Sequence, residues 1–166
     1  MKNRILTFAI LLLAWLATGS QLRAQQPAPA NSSQGDNEYQ LLMKKIRQDF
    51  AVNPPAKEIE EALKTYNETD GSFTDVDYAS IQRTNWPPLL HIDRLYDFAF
   101  AYTTPGNSYY GNEALFDKIV KGLEFWYERN PWCHNWWYNQ IAEPQRLGIM
   151  LIQLLSLIHI SEPTRR

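Results

Sequence analysis

Residues Asn135–Leu151 read NWWYNQIAEPQRLGIML, a stretch that joins a helical pattern to a pair of adjacent tryptophans. Apolar residues in its second half recur at helical spacing and continue just past it, at Leu147, Met150, Leu151 and Leu154. Pro144 comes directly before them, and proline is tolerated in the first turn of a helix but kinks a helix interior. The stretch therefore predicts a helix from about residue 135 to residue 154, with a start or a kink at Pro144.

The first half of the stretch places Trp136 and Trp137 between side-chain amides. Indole faces stack on the C–H faces of pyranose rings, and amides hydrogen-bond sugar hydroxyls. Trp126 and Trp132 lie shortly upstream, so four of the six tryptophans of the chain fall in this region. Because most tryptophans are largely buried, the pattern leaves two interpretations open, a core cluster or a sugar-binding surface.

Four segments upstream show the same helical spacing of apolar residues. Their members are Leu42, Ile46 and Phe50 in the first, Ile59, Leu63 and Tyr66 in the second, Ile92, Leu95, Ala99 and Tyr102 in the third, and Leu115, Ile119, Leu123 and Trp126 in the fourth. Residues 67–86 contain turn-forming Asp, Asn and Gly without a sustained period, which predicts a loop. With the helix after residue 135, these segments predict an all-α fold of about five helices joined by short loops.

The N-terminal residues have the pattern of a secretory signal peptide. Lys2 and Arg4 precede an apolar run at residues 5–17, and a polar stretch then ends at the small residue Ala24. The run of about 13 residues is shorter than a bilayer-spanning helix requires, which argues against the alternative of a retained anchor. We therefore expect residues 1–24 to be a signal peptide, no stable membrane span after its removal, and a secreted or periplasmic protein.

The segments that flank the predicted helices are expected to lie outside the folded part. Residues 25–37 are rich in Pro, Ala, Ser and Gln and have no apolar period, which predicts a flexible linker. Residues 155–166 read LSLIHISEPTRR, which resembles the translation of a sequencing adapter read through from a truncated gene. We expect them to be a non-native tail in which His159 has no role; the alternative is a genuine C-terminal strand and tail. The folded part is then residues 38–154.

Composition restricts the classes of partner. Residues 25–154 contain 11 Lys or Arg against 17 Asp or Glu, a net charge of −6 that argues against nucleic-acid binding, which requires a basic surface. An anionic polysaccharide substrate remains compatible with this charge, because the local potential of a cleft matters more than the net charge. Cys133 is the only cysteine, so the chain has no internal disulfide. His134 beside it is a single potential ligand, and the sequence predicts neither a metal site nor a cofactor.

Several short motifs lie in an order that resembles one enzyme family. Residues 135–151 are similar to the Asn-Trp-Trp…Ile-Gly-x-Pro motif of polysaccharide lyase family 8, which contains chondroitin AC, hyaluronate and xanthan lyases. Further similar pieces are Asp70–Phe73, Asp75–Tyr78, the helix around His91–Tyr102, Pro105–Asn112 and Gly122–Trp126. The resemblance covers roughly residues 38–154, and Ala142 departs from it where the family usually has glycine.

The resemblance implies both a fold and a reaction. The fold would be the opening part of an (α/α) toroid, in which helical hairpins stack around an incomplete ring. The reaction would be β-elimination at a uronic acid: a base removes the C5 proton, an acid protonates the leaving oxygen, and aimed donors neutralise the carboxylate. In the family an Asn, a His, a Tyr and an Arg share these tasks later in the helical domain. We therefore assign no catalytic residue to this chain and expect the truncated product to be inactive.

The resemblance also implies a substrate-binding role for a few residues here. Trp136 and Trp137 would stack on sugar rings, and Asn135 would donate to a substrate hydroxyl or carboxylate. Arg146 follows two to three helical turns later, at about 3.6 residues per turn, where it is either too distant or steers the anion.

Other candidate groups have simpler explanations. His91 lies beside Asp93 and Arg94, which predicts a solvated surface histidine on a polar helix face. His134 is closer to the tryptophan pair, where substrate contact competes with a plain loop position. Tyr138 and Asn139 have the residue types of an acid–base pair, but only a cleft geometry would support that role.

The acidic residues of the loop do not form a convincing site. Asp75 and Asp77 are one residue apart, and Asp-rich loops are usually turns, which argues against the paired carboxylates of a hydrolase. Asp70 with these two residues also lacks the spacing of the helix–loop–helix calcium site.

Two functions of different class remain open. The first is the N-terminal part of an exported lyase for uronic-acid polysaccharides, and the second is a non-catalytic helical glycan-binding module that uses the tryptophan pair alone.

Overall fold

A computed structural model describes the backbone of residues 32–160 and the side chains of residues 38–155. Its helices are α1 (Ser32–Asp49), α2 (Ala56–Thr65), α3 (Leu89–Thr103), α4 (Glu113–Arg129) and α5 (Glu143–Ile160), with a π-helical turn at Tyr138–Ala142 directly before α5. The described backbone has no β-strand, and an isolated bridge joins Tyr66 to Phe73. The predicted all-α class, with about five helices, is confirmed.

The structure describes part of the predicted C-terminal tail but none of the predicted signal peptide. The predicted signal peptide and most of the predicted linker lie outside the described residues. At the other end, the backbone of α5 continues through Ile160, into the segment predicted as a non-native tail. No helix among residues 32–160 is both long enough and apolar enough to cross a membrane.

Helix α3 is the central element of the unit that begins at Glu38. It packs against α2, α4 and α5, and four consecutive residues, Phe98 through Ala101, are all buried. A helix with neighbours on several sides must be apolar over most of its surface, and the charged residues Asp93, Arg94 and Asp97 of α3 lie on the part that is only partly buried. The core around it combines Ile59 of α2, Ile119 of α4 and Met150 of α5.

Close approach of α3 and α4 depends on glycine. A Cβ atom added to Gly122 would lie 2.7 Å from a methyl carbon of Leu95, so the two helices could not pack this tightly around a larger residue. Gly71, in the loop between α2 and α3, has a φ of +83°, and its added Cβ would lie 2.6 Å from the carbonyl oxygen of Lys121. Both positions therefore require glycine, one for space and one for space and backbone conformation.

The ends of α4 follow from the sequence. Asn112 caps its N-terminus, where its side-chain oxygen accepts a hydrogen bond of 3.0 Å from the N–H of Leu115. Asn130 ends it in the left-handed conformation, and Pro131 follows and cannot continue a helix. The chain then turns into the segment that contains the tryptophan pair.

A start or a kink was predicted at Pro144, and the structure has a π-helical turn that passes into α5 at Glu143; the predicted face of α1 is wrong. Pro144 is the second residue of α5, where its missing N–H does no harm, and the preceding turn is π-helical instead of α-helical. In α1 the buried residue is Met43, whereas Leu42 and Phe50 are exposed and Phe50 lies one residue past the helix. A helical turn has about 3.6 residues, so residues spaced four apart shift gradually around the helix. Three such residues therefore do not define a single buried face.

Candidate sugar-binding site

Of the four clustered tryptophans, three are exposed and Trp126 is buried. Trp136 is 60% exposed and Trp137 43% exposed, and Trp132 is also exposed. Trp126, at 5%, and Trp86, at 2%, instead lie in a buried cluster with Leu89, Ile92, Cys133 and Ala142. The core interpretation is therefore right for Trp126 and not for the adjacent pair, which presents indole surface to solvent.

Asn135 fixes the turn on which the pair lies. Its side-chain oxygen accepts a hydrogen bond of 3.1 Å from the backbone N–H of Trp137, as an N-terminal helix cap does. Its side-chain nitrogen donates to the carbonyl oxygen of Arg83 at 3.0 Å. One amide thus holds both the tryptophan-bearing turn and the loop before α3.

A series of aromatic contacts connects Trp137 to the buried cluster. Tyr138 meets Trp137 edge to face with ring centroids 5.2 Å apart, and it packs on Trp86 at 5.7 Å. Trp86 in turn meets Trp126 at 6.2 Å. The indole N–H of Trp126 donates to Glu143 at 2.7 Å, and burial raises the pKa of that carboxyl group. Aromatic contacts of this kind make the support stiff, because each ring limits the rotamers of the next.

Cys133 and Asn139 hold the tryptophan-bearing segment and connect it to the loop before α3, a role that no sequence pattern indicated. Asn139 accepts from the backbone N–H of Cys133 at 3.0 Å and donates to its carbonyl oxygen at 2.6 Å. The buried thiol of Cys133 donates to the carbonyl oxygen of Gln82 at 3.4 Å and accepts from the N–H of Asn135. The partners are six residues apart in one case and fifty-one in the other, and neither spacing belongs to a known motif.

Tyr138 and Asn139 have the residue types of an acid–base pair, but both side chains form hydrogen bonds within the fold. The Tyr138 hydroxyl accepts from the backbone N–H of Trp86 at 3.4 Å. Both functional atoms of the Asn139 side chain bond the backbone of Cys133. His134, four residues before Tyr138 in the chain, is exposed.

The prediction of a solvated His91 is wrong, because this side chain is 0% exposed. Its Nε2 lies 2.9 Å from the carbonyl oxygen of Gly122, which only accepts, so Nε2 carries the proton. Nδ1 then accepts from the Tyr78 hydroxyl at 2.8 Å, and that hydroxyl accepts from the N–H of Phe73. The ring also stacks on Trp126 at 5.4 Å. Burial lowers the pKa of His91 to about 4, so the imidazole is neutral at pH 7.

The loop carboxylates have structural partners. Asp75 binds both terminal nitrogens of Arg94 at 2.6 Å, and this pairing lowers its pKa to about 2. Asp70 accepts from the backbone and hydroxyl of Ser72, and Asp77 accepts from the N–H of Ala79, as in ordinary Asx turns. Within the described part of the chain, His, Cys, Asp and Glu side chains form no group of three or more that suits a metal ion.

Arg146 lies apart from the tryptophan pair. Its guanidinium pairs with Asp93 of α3 and donates to the carbonyl oxygen of Ala142 at 3.1 Å. It lines an open recess of about 450 Å³ whose other lining residues are Phe50, Asp93, Tyr96, Asp97, Gln145 and Ile149. Burial, with the neighbouring charges of Asp93 and Glu58, raises the pKa of Asp97 to about 6. The structure brings Asn135, Trp136 and Trp137 together but places Arg146 in a separate recess.

Comparison with known proteins identifies the family. The profile of the polysaccharide lyase family 8, N terminal alpha-helical domain, matches residues 30–164. Chondroitinase-AC of Pedobacter heparinus is 39% identical over 116 residues, which are 68% of this chain and 16% of that protein. An all-α chain with this profile and this relative is a helical lyase domain. The chain belongs to polysaccharide lyase family 8, as its motifs predicted.

A solved structure of a chondroitinase AC lyase supports this assignment. A structure of chondroitinase AC lyase, from work on enzyme–oligosaccharide complexes and mutagenesis, has a TM-score of 0.64 at 39% identity and covers 69% of this chain. A Paenibacillus xanthan lyase structure is 25% identical with a TM-score of 0.40. This chain spans 17% of the chondroitinase AC lyase chain, and thus a small part of the length of its relatives. The fold expected from the resemblance, part of a helical toroid, is confirmed.

Proposed function

We propose that the chain is the N-terminal part of an exported lyase that cleaves uronic-acid-containing polysaccharide by β-elimination, and that Asn135, Trp136 and Trp137 form a sugar-stacking wall of its cleft. The observation that carries this proposal is the exposure of two adjacent indoles, at 60% and 43%, on a buried aromatic support. A soluble protein rarely exposes clustered aromatic surface without a ligand or partner for it. Membership of a polysaccharide lyase family makes that ligand a sugar chain.

The chemistry of elimination is expected from other parts of the enzyme. It requires a base at the C5 proton, an acid for the leaving oxygen and donors for the carboxylate. The buried imidazole of His91 and the hydroxyl of Tyr138 already bond within the fold. The role proposed for these residues of the chain is therefore binding and orientation of the polysaccharide.

Asn135 and Arg146 contribute differently to this binding. Asn135 uses one amide N–H for the carbonyl of Arg83, and its second N–H is left for a substrate hydroxyl or carboxylate. Arg146 is paired with Asp93, so its charge is largely balanced. Its proposed part is weak attraction of the anionic polymer at longer range.

Export of the protein is proposed from the sequence alone. The charged N-terminus, the short apolar run and the small residue at position 24 have the order of a secretory signal. A polymeric substrate that cannot enter a cell fits an enzyme that acts outside the cytoplasm.

The test is substitution of each exposed indole in the complete lyase. We expect Trp136→Ala and Trp137→Ala each to lower kcat/KM by about 5- to 150-fold, since one stacked ring contributes about 1–3 kcal/mol by analogy with base–aromatic stacking. Tyr127→Ala is the matched control, because Tyr127 is an equally exposed aromatic residue on α4. Unchanged kcat/KM in both tryptophan variants would remove the proposed wall.

Product analysis with the complete protein distinguishes the two candidate functions. A lyase produces an unsaturated uronic acid that absorbs ultraviolet light. If the complete protein bound polysaccharide through the tryptophans and released no unsaturated product, it would be a glycan-binding module instead.

A further inference from the structure

The loop before α3 is bonded to the turn that carries Trp136 and Trp137. Its residues Gln82 and Arg83 offer their carbonyl oxygens to Cys133 and Asn135, at 3.4 and 3.0 Å. Trp86 at the end of the loop donates its backbone N–H to Tyr138. Three bonds therefore hold this loop against the turn that presents the indoles.

Arg83 is one of the basic residues that form no ion pair among the described side chains, whereas five others do. Arg94 pairs with Asp75, Arg146 with Asp93, and Lys118 with Glu68. The side chain of Arg83 is exposed, and no carboxylate of the described residues pairs with it. An unneutralised guanidinium thus lies on the loop that is bonded directly to the tryptophan-bearing turn.

We propose that Arg83 is a specificity-determining residue that binds an anionic group of the sugar stacked on Trp136 and Trp137. This inference rests on the proposed function of the tryptophan pair. The planar guanidinium presents parallel N–H donors that match the oxygens of a carboxylate or a sulfate ester. The indoles hold the ring of any pyranose, whereas Arg83 selects the acidic sugar. The backbone carbonyl of Arg83 bonds Asn135, so side-chain replacement leaves the position of the turn intact.

The test measures binding of oligosaccharides to the complete lyase with Arg83→Gln, Arg83→Lys and Trp136→Ala. We expect Arg83→Gln to weaken binding of an acidic oligosaccharide about tenfold, as loss of a charge-assisted hydrogen bond does, and to make the affinity less sensitive to salt. Arg83→Lys should retain part of the affinity, because lysine keeps the positive charge but lacks the parallel N–H donors of the guanidinium. Lys57→Gln is the control, an exposed lysine of α2 that forms no ion pair among the described side chains.

Three ligands identify the group that Arg83 binds. They are an unsulfated uronic-acid oligosaccharide, a carboxyl-reduced sulfated one, and a neutral oligosaccharide with neither group. Loss with Arg83→Gln on the first assigns the carboxylate, and loss on the second assigns the sulfate; either supports the proposal. An equal loss on the neutral ligand would make the effect structural and overturn it.

The tryptophan variant separates failure of this inference from failure of the proposed function. If Trp136→Ala weakens binding and Arg83→Gln leaves both acidic ligands unaffected, only the role of Arg83 is overturned. If neither variant changes binding, the sugar-stacking wall and the role of Arg83 fall together.

Discussion

At the scale of single residues, His91 shows how a polar side chain becomes part of a core. It lies four residues before Leu95 and seven before Phe98, so helical spacing places all three on one face. That spacing was readable from the sequence, but the adjacent Asp93 and Arg94 suggested a solvated face. Burial of the ring became possible because Tyr78 and Gly122, distant in the chain, satisfy both nitrogens.

Protonation of His91 should open the contact between α3 and α4. Its pKa is about 4 in the folded chain, below the ordinary value of 6.5, so the unfolded state binds more protons between these values. Stability is therefore full above pH 6.5 and falls as the pH drops toward 4, by about 3 kcal/mol for this group alone. Asp97 acts in the opposite direction, because its raised pKa favours the folded state as the pH falls through 6.

A variant isolates the histidine contribution from that of Asp97. We expect amide protection in α4, corrected for intrinsic exchange, to decrease between pH 6.5 and pH 4.5 in the native sequence. In His91→Gln, which has no group that titrates in this range, the decrease should be much smaller. Equal pH dependence in the two proteins would show that the imidazole does not control this contact.

At the scale of elements, the helices were predictable and the connection that carries the site was not. Each of α2 and α4 has a sustained apolar stripe, and α4 also has an asparagine cap and a following proline. The turn at residues 132–139 depends instead on Cys133 and Asn139, whose partners are backbone atoms chosen by the fold. Residue types signal the aromatic pair, but only tertiary structure decides that Trp136 faces solvent and Trp126 does not.

Asn139 should control the tryptophan turn without touching a sugar. Asn139→Ala removes two hydrogen bonds to Cys133, and we expect a loss of about 1–3 kcal/mol in local stability with weaker oligosaccharide binding. Asn139→Asp keeps the acceptor for the Cys133 N–H but sets an anion against its carbonyl oxygen, so it should perturb the turn at least as strongly. Tryptophan fluorescence of the unliganded protein reports the change, and identical spectra with unchanged affinity would show the turn to be held by other contacts.

At the scale of the whole molecule, an acidic net charge is compatible with the proposed anion binding because charge is distributed unevenly. Five basic groups of the described side chains are neutralised in ion pairs, among them Arg94 and Arg146. Arg83 forms no ion pair among the described side chains, and its carbonyl oxygen accepts from Asn135, the residue before Trp136. Net charge alone would not predict an acidic ligand, since a single guanidinium at the right place determines the local potential.

The large apolar surface leads to a prediction about the isolated chain. Apart from the tryptophan pair, exposed large hydrophobic side chains among the described residues include Leu41, Leu42, Val52, Ile81 and Leu90. Hairpins of a helical toroid bury such surface against neighbouring hairpins, and the chain matches 16% of the length of its chondroitinase-AC relative. We expect residues 25–154, produced alone, to bind a hydrophobic dye and to associate, while the complete lyase does neither. Size-exclusion chromatography with light scattering and a thermal melt give the measurement. A monodisperse monomer with a cooperative melt would mean that these faces tolerate solvent and that the domain folds without further helices.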